Sequence, residues 1–342
     1  MLKQGLIQVY TGTTEHFNFA PIGLSLRAAG QGLRILNACF TPHELSEGID
    51  AATTFLRPNL VVDYSAARAF SGENGPDGDV VLHAFQSARE AALDGRFDMV
   101  IFNGIHPLLN RGIIPFHDVR SLMAEKPSHV ELVFSGPGAP AEMTDAADLV
   151  TEMVVSRSRP PEEENGLEHR PGCIEVVTGN GKGKTTYCLG KAMLSSCTGI
   201  LSAFLQFIKS PKPYGEVKAV RRLPRLHIDT MGEGFLMSDT EAARKKHLDA
   251  ARLAWERCLR EIFSLKYGLV ALDEINTATY YGLVHADRVR EMLFLKPREL
   301  HLLLSGRNAH AEITGAASCV IEMREIKHPF RKGIKARKGI EY

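Results

Sequence analysis

Gly172-Cys-Ile-Glu-Val-Val-Thr-Gly-Asn-Gly-Lys-Gly-Lys-Thr-Thr186 joins a short apolar run to a glycine-rich loop and then to a helical pattern. Strand, loop and helix in that order are the context of a phosphate-binding loop. Glycines 179, 181 and 183 let the backbone turn successive N–H groups toward phosphate oxygens. The helix start that follows adds its positive end. Lys184 is placed to reach the β and γ phosphates, and Thr185 to put its hydroxyl on Mg²⁺. Asn180, Gly181, Lys182, Gly183 and Thr186 complete the nucleotide-binding segment. One position departs from G-x-x-x-x-G-K-[ST], which wants Gly where Thr178 stands. The bland alternative is a glycine-rich strand-to-helix turn without a ligand.

The same run has an echo. Gly5-Leu-Ile-Gln-Val-Tyr-Thr-Gly12 aligns with Gly172 to Gly179, and the later parts of the chain align at a slightly larger offset. Ser135-Gly136 matches Ser305-Gly306, and Val150, Glu152 and Met153 match Val320, Glu322 and Met323. Between Phe97–Met153 and Tyr267–Met323 about a third of positions are identical without gaps, so the chain is a tandem duplication. Residues 1–154 form one repeat and 172–342 the other. The polar, proline-containing segment 155–171 reads as the linker. In the second repeat, short β-rich runs (174–177, 201–207, 226–229, 269–272, 300–304, 319–322) alternate with helical patterns at 185–196 and 240–263. Short strands separated by helices predict an α/β fold: two tandem RecA-like P-loop domains with mostly parallel sheets and helices on both faces.

Composition agrees with a globular chain. The 342 residues are 44% hydrophobic and 24% charged, with a net charge of +1. Neither a disordered protein nor a basic nucleic-acid binder fits. Nucleic acid and membrane are not expected partners: no stretch approaches the ~20 apolar residues of a membrane span. Six cysteines without a Cys-x-x-Cys pair read as reduced thiols, which points to the cytoplasm. The single Trp255 reads as core.

A second chemical signal is Tyr267-Gly-Leu-Val-Ala-Leu-Asp-Glu274, an apolar strand that ends in two carboxylates. Asp273 and Glu274 beside a phosphate loop suit a direct or water-mediated Mg²⁺ contact. A helix-capping Asp is the bland alternative. The first repeat lacks all of this: Phe17 stands for Lys184, Asn18 for Thr185, and Asn103-Gly104 for Asp273-Glu274. One nucleotide site is therefore expected, in the second repeat.

Further motifs narrow the class. Thr178 to Thr186, Gln206-Phe-Ile-Lys209, Met231-Gly-Glu-Gly-Phe235, Asp273-Glu-Ile-Asn276, Ser305-Gly-Arg307 and the tail from His328-Pro-Phe to Lys338-Gly-Ile-Glu-Tyr342 occur in order. Together they resemble the P-loop ATP:corrinoid adenosyltransferase family. The first repeat resembles it through Leu24-Ser-Leu-Arg-Ala-Ala-Gly-Gln-Gly32 and Ala147-Asp-Leu-Val-Thr-Glu-Met153. The resemblance implies that a Co(I) corrinoid attacks the 5′ carbon of ATP and displaces triphosphate. It implies ATP and corrinoid as substrates, Mg²⁺ as cofactor, and a reduced flavoprotein as electron donor. It gives Lys184, Thr185, Phe235 and Glu274 catalytic roles, and assigns Mg²⁺ to Thr185, Asp273 and Glu274. Arg307 joins the ATP contacts, while Phe235 and Met237 face the corrin, with Met at a position where the family has Trp. Family members are typically homodimers, so the fused repeats are expected to form an internal pseudo-dimer or a homodimer.

Other departures from the family pattern are Leu194 for an Arg that Arg27 keeps in the first repeat, Ser210 for Gly, Asn308-Ala-His310 for Gly-Ala-Pro, Ser318 for Asp, and Arg337 for Gln. An alternative to the transferase is a carrier or sensor that binds ATP and corrinoid without transfer. A third reading is an unrelated P-loop ATPase or kinase.

Overall fold

The computed structural model describes residues 2–13, 18–42, 46–70, 75–159, 171–209, 214–234 and 240–342. The first repeat runs β1 (Ile7–Gly12), α1 (Phe19–Gly30), β2 (Ile35–Cys39), α2 (Ser46–Leu56), β3 (Leu60–Asp63), α3 (Ser65–Arg68), α4 (Gly78–Leu93), β4 (Met99–Asn103), α5 (His106–Asn110), α6 (Phe116–Glu125), β5 (Glu131–Ser135), α7 (Ala141–Ala146) and β6 (Leu149–Ser158). The second runs β7 (Ile174–Thr178), α8 (Lys184–Cys197), β8 (Ser202–Gln206), α9 (Gly215–Val220), β9 (Leu226–Thr230), α10 (Glu241–Ile262), β10 (Leu269–Asp273), α11 (Ile275–Tyr280), α12 (Ala286–Leu295), β11 (His301–Ser305), α13 (Ala311–Ala316) and β12 (Cys319–Lys327).

The strands form one twelve-stranded sheet in the order β3-β2-β4-β5-β1-β6-β12-β7-β11-β10-β8-β9. Within each repeat every pairing is parallel, and β6 meets β12 antiparallel. The second half of the order is the first half reversed. Met153 and Met323, equated by the internal alignment, lie opposite each other in the β6–β12 register. The pseudo-twofold axis therefore passes between them. The α/β class with a mostly parallel sheet is as expected, but the two sheets are joined edge to edge into one.

That junction changes the reading of 155–171. Val155–Ser158 belongs to β6, and β12 runs on to Lys327 rather than stopping at Glu322. Ser156-Arg-Ser looks like linker locally because half of it faces solvent, and its partner strand lies some 160 residues away.

Helices cover both faces. Alternate residues of β4 point oppositely, Met99 and Ile101 into one core and Val100 and Phe102 into another. The second of these cores belongs to the first repeat alone, with Val81, Phe85 and Leu122. Its counterpart in the second repeat holds Trp255, Val270, Leu272 and Val289. The remaining face is shared by both repeats: Ile22 and Leu26 of α1 pack with Tyr187, Leu189 and Leu194 of α8. All six cysteines are free thiols. No helix among the described residues is long and apolar enough to cross a membrane.

Candidate functional site

The shared face sets the site. The α1 and α8 backbones meet at Gly23 and Gly190, equivalent positions in the two repeats; a Cβ on Gly23 would sit 1.8 Å from the Thr186 carbonyl oxygen. This close approach brings the first repeat against the loop that starts α8. A cleft of about 530 Å³ opens there. Asn180, Gly181, Lys182, Gly183, Lys184, Thr185, Thr186, Glu274 and Arg307 all line it, so the structure gathers these predicted residues in one place.

Gly183 has φ +110°, which favours glycine, and the ring of Tyr10 lies where a side chain would begin. Lys184 is buried and its Nζ donates to the Gly181 carbonyl at 2.7 Å. Burial pushes its ammonium down to about 8, Glu274 pulls the other way, and Arg307 adds to the fall. Arg307 forms no ion pair among the described residues, and its N–H donates to Thr277 Oγ1 at 2.9 Å. Thr178 has a structural use: its Oγ1 accepts from Ala309 N at 3.2 Å, as Thr11 Oγ1 accepts from Ala139 N at 2.9 Å in the first repeat. Threonine at this position ties the strand end to the neighbouring loop in both halves.

The two carboxylates separate in position. Asp273 is fully buried and does not line the cleft. Its Oδ1 accepts from Ser305 Oγ at 2.6 Å and its Oδ2 from Gln206 Nε2 at 2.9 Å. Asn103 keeps the serine bond in the first repeat, accepting from Ser135 Oγ at 2.7 Å. Glu274 does line the cleft, from a left-handed backbone with φ +65°. Gly104 occupies that conformation, φ +79°, in the first repeat. A non-glycine residue held there costs of order 1–3 kcal/mol. Burial and the adjacent Asp273 charge raise the Glu274 carboxyl above its usual range, against a hydrogen bond from Thr277 and the Lys184 charge.

Several lining residues escaped the sequence reading. Gln8, Tyr10, Leu24 and Arg27 come from the repeat without a phosphate loop, and Ile340 and Glu341 from the tail. Arg27 is buried; its Nε donates to Glu216 Oε2 at 2.9 Å and one terminal nitrogen to the Ile340 carbonyl at 3.2 Å. Lys209 donates to Glu216 Oε1 at 2.6 Å. Burial alone would raise Glu216, but Arg27 and Lys209 outweigh it and hold the carboxyl at about 2. The one available signal was that Arg27 survives in the first repeat while its counterpart Leu194 has become core. Ser318 keeps the hydrogen bond of its counterpart: its Oγ accepts from Ile174 N, as Asp148 Oδ2 accepts from Ile7 N.

Tyr281 lines the cleft and also a second cavity of about 170 Å³ with Phe207, Ile208, Gly234 and Ala251. Phe235 and Met237, read as corrin-facing, lie outside the described residues, as do Ser210 and Phe17. His328 lines the cleft, and its Nδ1 accepts from Phe330 N at 3.1 Å. No group of three or more His, Cys, Asp or Glu among the described residues is arranged to hold a metal.

A family model described as ATP:corrinoid adenosyltransferase BtuR/CobO/CobP matches the chain twice, at residues 3–168 and 170–342. A corrinoid adenosyltransferase of Sinorhizobium is 36% identical over 60% of this chain and 97% of its own length. Another, of Pseudomonas aeruginosa, is 35% identical over 50% of this chain and 84% of its own. An uncharacterized protein of Nostoc sp. (strain PCC 7120) is 27% identical over 99% of this chain and 95% of its own length, so the likeness there spans both repeats.

Proposed function

Because this chain belongs to the ATP:corrinoid adenosyltransferase family, we propose that it transfers the 5′-deoxyadenosyl group of ATP to a Co(I) corrinoid. The carrying observation is the single cleft in which Lys184, Thr185, Glu274 and Arg307 of one repeat meet Arg27 and Tyr10 of the other.

In the proposed step the corrinoid cobalt, as substrate, supplies the electron pair for a new bond to C5′. The C5′–O bond breaks and triphosphate leaves with its pair. Negative charge therefore grows on the leaving group. Lys184, the N–H groups of the loop, Arg307 and Arg27 are the fixed donors and charges that would meet it. Pinning the triphosphate at the loop also holds C5′ in line for attack. The cavity that Phe207, Ile208 and Ala251 share with Gly234, the residue before Phe235 in sequence, supports assigning the corrin face to that side.

The donor set fits Mg²⁺. This ion is usually held by one or two carboxylates together with substrate phosphates, rather than by an all-protein cage. The Thr185 hydroxyl and Glu274 carboxylate both line the cleft. Asp273, with each oxygen already accepting a hydrogen bond, would act from behind by holding the strand end and adding negative charge. When bound, Mg²⁺ would neutralise part of the triphosphate charge.

The first repeat takes the place of a second subunit, making the chain an internal pseudo-dimer with one working site. A reduced flavoprotein would supply the electron that generates Co(I).

The test is to mix the chain with Mg-ATP and chemically reduced cob(I)alamin under anoxia, follow the corrinoid spectrum and assay triphosphate. The proposal expects a light-sensitive adenosylated product with one triphosphate per turnover, lost in Lys184→Ala. ATP binding without a Co–C bond, across complete and incomplete corrinoids, would replace it with the carrier or sensor reading. Release of phosphate or ADP instead would point to an ATPase or kinase.

A further inference from the structure

The C-terminal tail crosses from the second repeat to the first before it reaches the cleft. Arg337 lays its guanidinium on Glu131 of the first repeat, Nη1 to Oε2 at 2.7 Å and Nη2 to Oε1 at 3.0 Å. Glu131 is fully buried, and Leu6 N and Gln8 Nε2 also donate to it. Burial raises this carboxyl, and the Arg337 charge with the hydrogen bonds from Arg337, Gln8 and Leu6 N works against that rise; four donors converge on its two oxygens. His301 holds the equivalent register in the second repeat, so this anchor exists on one side of the pseudo-axis only. Beyond Arg337 the chain folds back: Arg337 N donates to Glu341 Oε2 at 2.7 Å, and Glu341 Oε1 accepts from Lys182 Nζ at 2.6 Å. Lys182 is a residue of the phosphate loop, and both it and Glu341 line the cleft. The tail thus carries an anion into an anion-binding site and sets it on one of that site's cations.

We propose that Glu341 is an internal competitor for the triphosphate, and that Glu131, through Arg337, is the positioning residue that holds it on Lys182. This rests on the cleft being the nucleotide site. In the empty protein the carboxylate keeps Lys182 neutralised. Triphosphate must displace it to use that lysine, and as triphosphate leaves the carboxylate returns and speeds its release. Both side chains are largely shielded from water, 25% and 17% exposed, so the exchange is not between fully solvated partners. Gln8, which also lines the cleft, donates to the same Glu131 and so shares this anchor.

The test measures binding of Mg-ATP and of tripolyphosphate alone to the full chain by calorimetry, without corrinoid. Glu341→Gln preserves shape and removes the charge; both ligands should bind about tenfold tighter, about 1.4 kcal/mol. Arg337→Gln should tighten binding in the same direction by loosening the anchor. In a Lys182→Met background the Glu341→Gln gain should vanish, a coupling that a purely structural role of the tail does not produce. If a variant fails to fold, amide exchange of the wild-type tail decides. Exchange over 337–342 should rise when tripolyphosphate is added; unchanged or slower exchange overturns the proposal. Unchanged or weaker ligand binding by folded Glu341→Gln also overturns it. A wild-type chain that binds neither ligand overturns the nucleotide reading of the cleft itself, and this inference with it.

Discussion

Gly23→Ala tests whether the cleft really lies between the repeats. The added Cβ would stand 1.8 Å from the Thr186 carbonyl oxygen and 2.7 Å from Gly190 N. Both are backbone atoms of α8, so no side chain can swing aside. An ordinary contact of at least about 3.4 Å requires the helices to part by roughly 1.6 Å, in an interior packed like a crystal. Overpacking of that kind costs about 1–3 kcal/mol. Moving α1 also strains the Arg27–Glu216 pair that ties it to α9, so about 3 kcal/mol is expected in all. With roughly 2.1 cal/mol/K per residue over 342 residues, this lowers Tm by about 4 °C. Thr186 lies two residues after Lys184, so the same displacement moves the phosphate loop away from Arg27 and Tyr10. ATP affinity should fall about tenfold, about 1.4 kcal/mol. Melting and nucleotide titration of one sample read both effects. Gly315→Ala in α13, where no atom lies within 4 Å of the new methyl, is the control and should be neutral or up to about 1 kcal/mol stabilising. If Gly23→Ala melts with the wild type and binds ATP as well, the helices are not in backbone contact and the account of the site fails.

Three further outcomes are expected. Lys184 must be charged to hold triphosphate, and burial lowers its pKa to about 8, so ATP affinity should decline as pH rises through 8, with proton uptake on binding there; calorimetry in buffers of different ionisation enthalpy measures both. Glu216 is held at about 2, below its ordinary 4.5, so it contributes about 3 kcal/mol above the ordinary value; that share should fade as pH falls from about 4.5 to 2, and Glu216→Gln should flatten this part of the acid-unfolding curve. Arg27→Leu copies the residue of the second repeat but leaves Glu216 buried with Lys209 alone; a loss of about 3 kcal/mol in denaturant titrations and weaker ATP binding should follow, with Arg27→Lys intermediate.

Much of the molecule was legible locally. A phosphate loop is a contiguous run whose chemistry follows from residue type and spacing, so residues 180–186 and Glu274 could be named from the residues alone, while Arg307 was named only through the family resemblance. The internal repeat was legible for the same reason: aligned strings such as Ser135-Gly136 and Ser305-Gly306 keep their order, and the family model matches the two halves separately. Short strands buried on both faces carry their own hydrophobic signature, which is why β7, β8 and β10 emerged within a residue or two of their observed ends.

What the tertiary structure decided was which distant residues meet. The antiparallel junction of β6 and β12 joins two sheets into one, and nothing in Ser156-Arg-Ser announces a partner in the other repeat. Asp273 and Glu274 are neighbours in sequence, yet the left-handed turn at Glu274 sends one carboxylate into the cleft and leaves the other behind it. Arg27, Gln8, Tyr10 and Glu131 belong to a repeat whose own loop is blank, so no local pattern gives them a task. Packing across the pseudo-axis sets them against the second repeat's loop and tail. Local chemistry is written in consecutive residues, whereas contacts between repeats depend on long-range packing, in which each residue's partner is fixed only once the whole chain has closed.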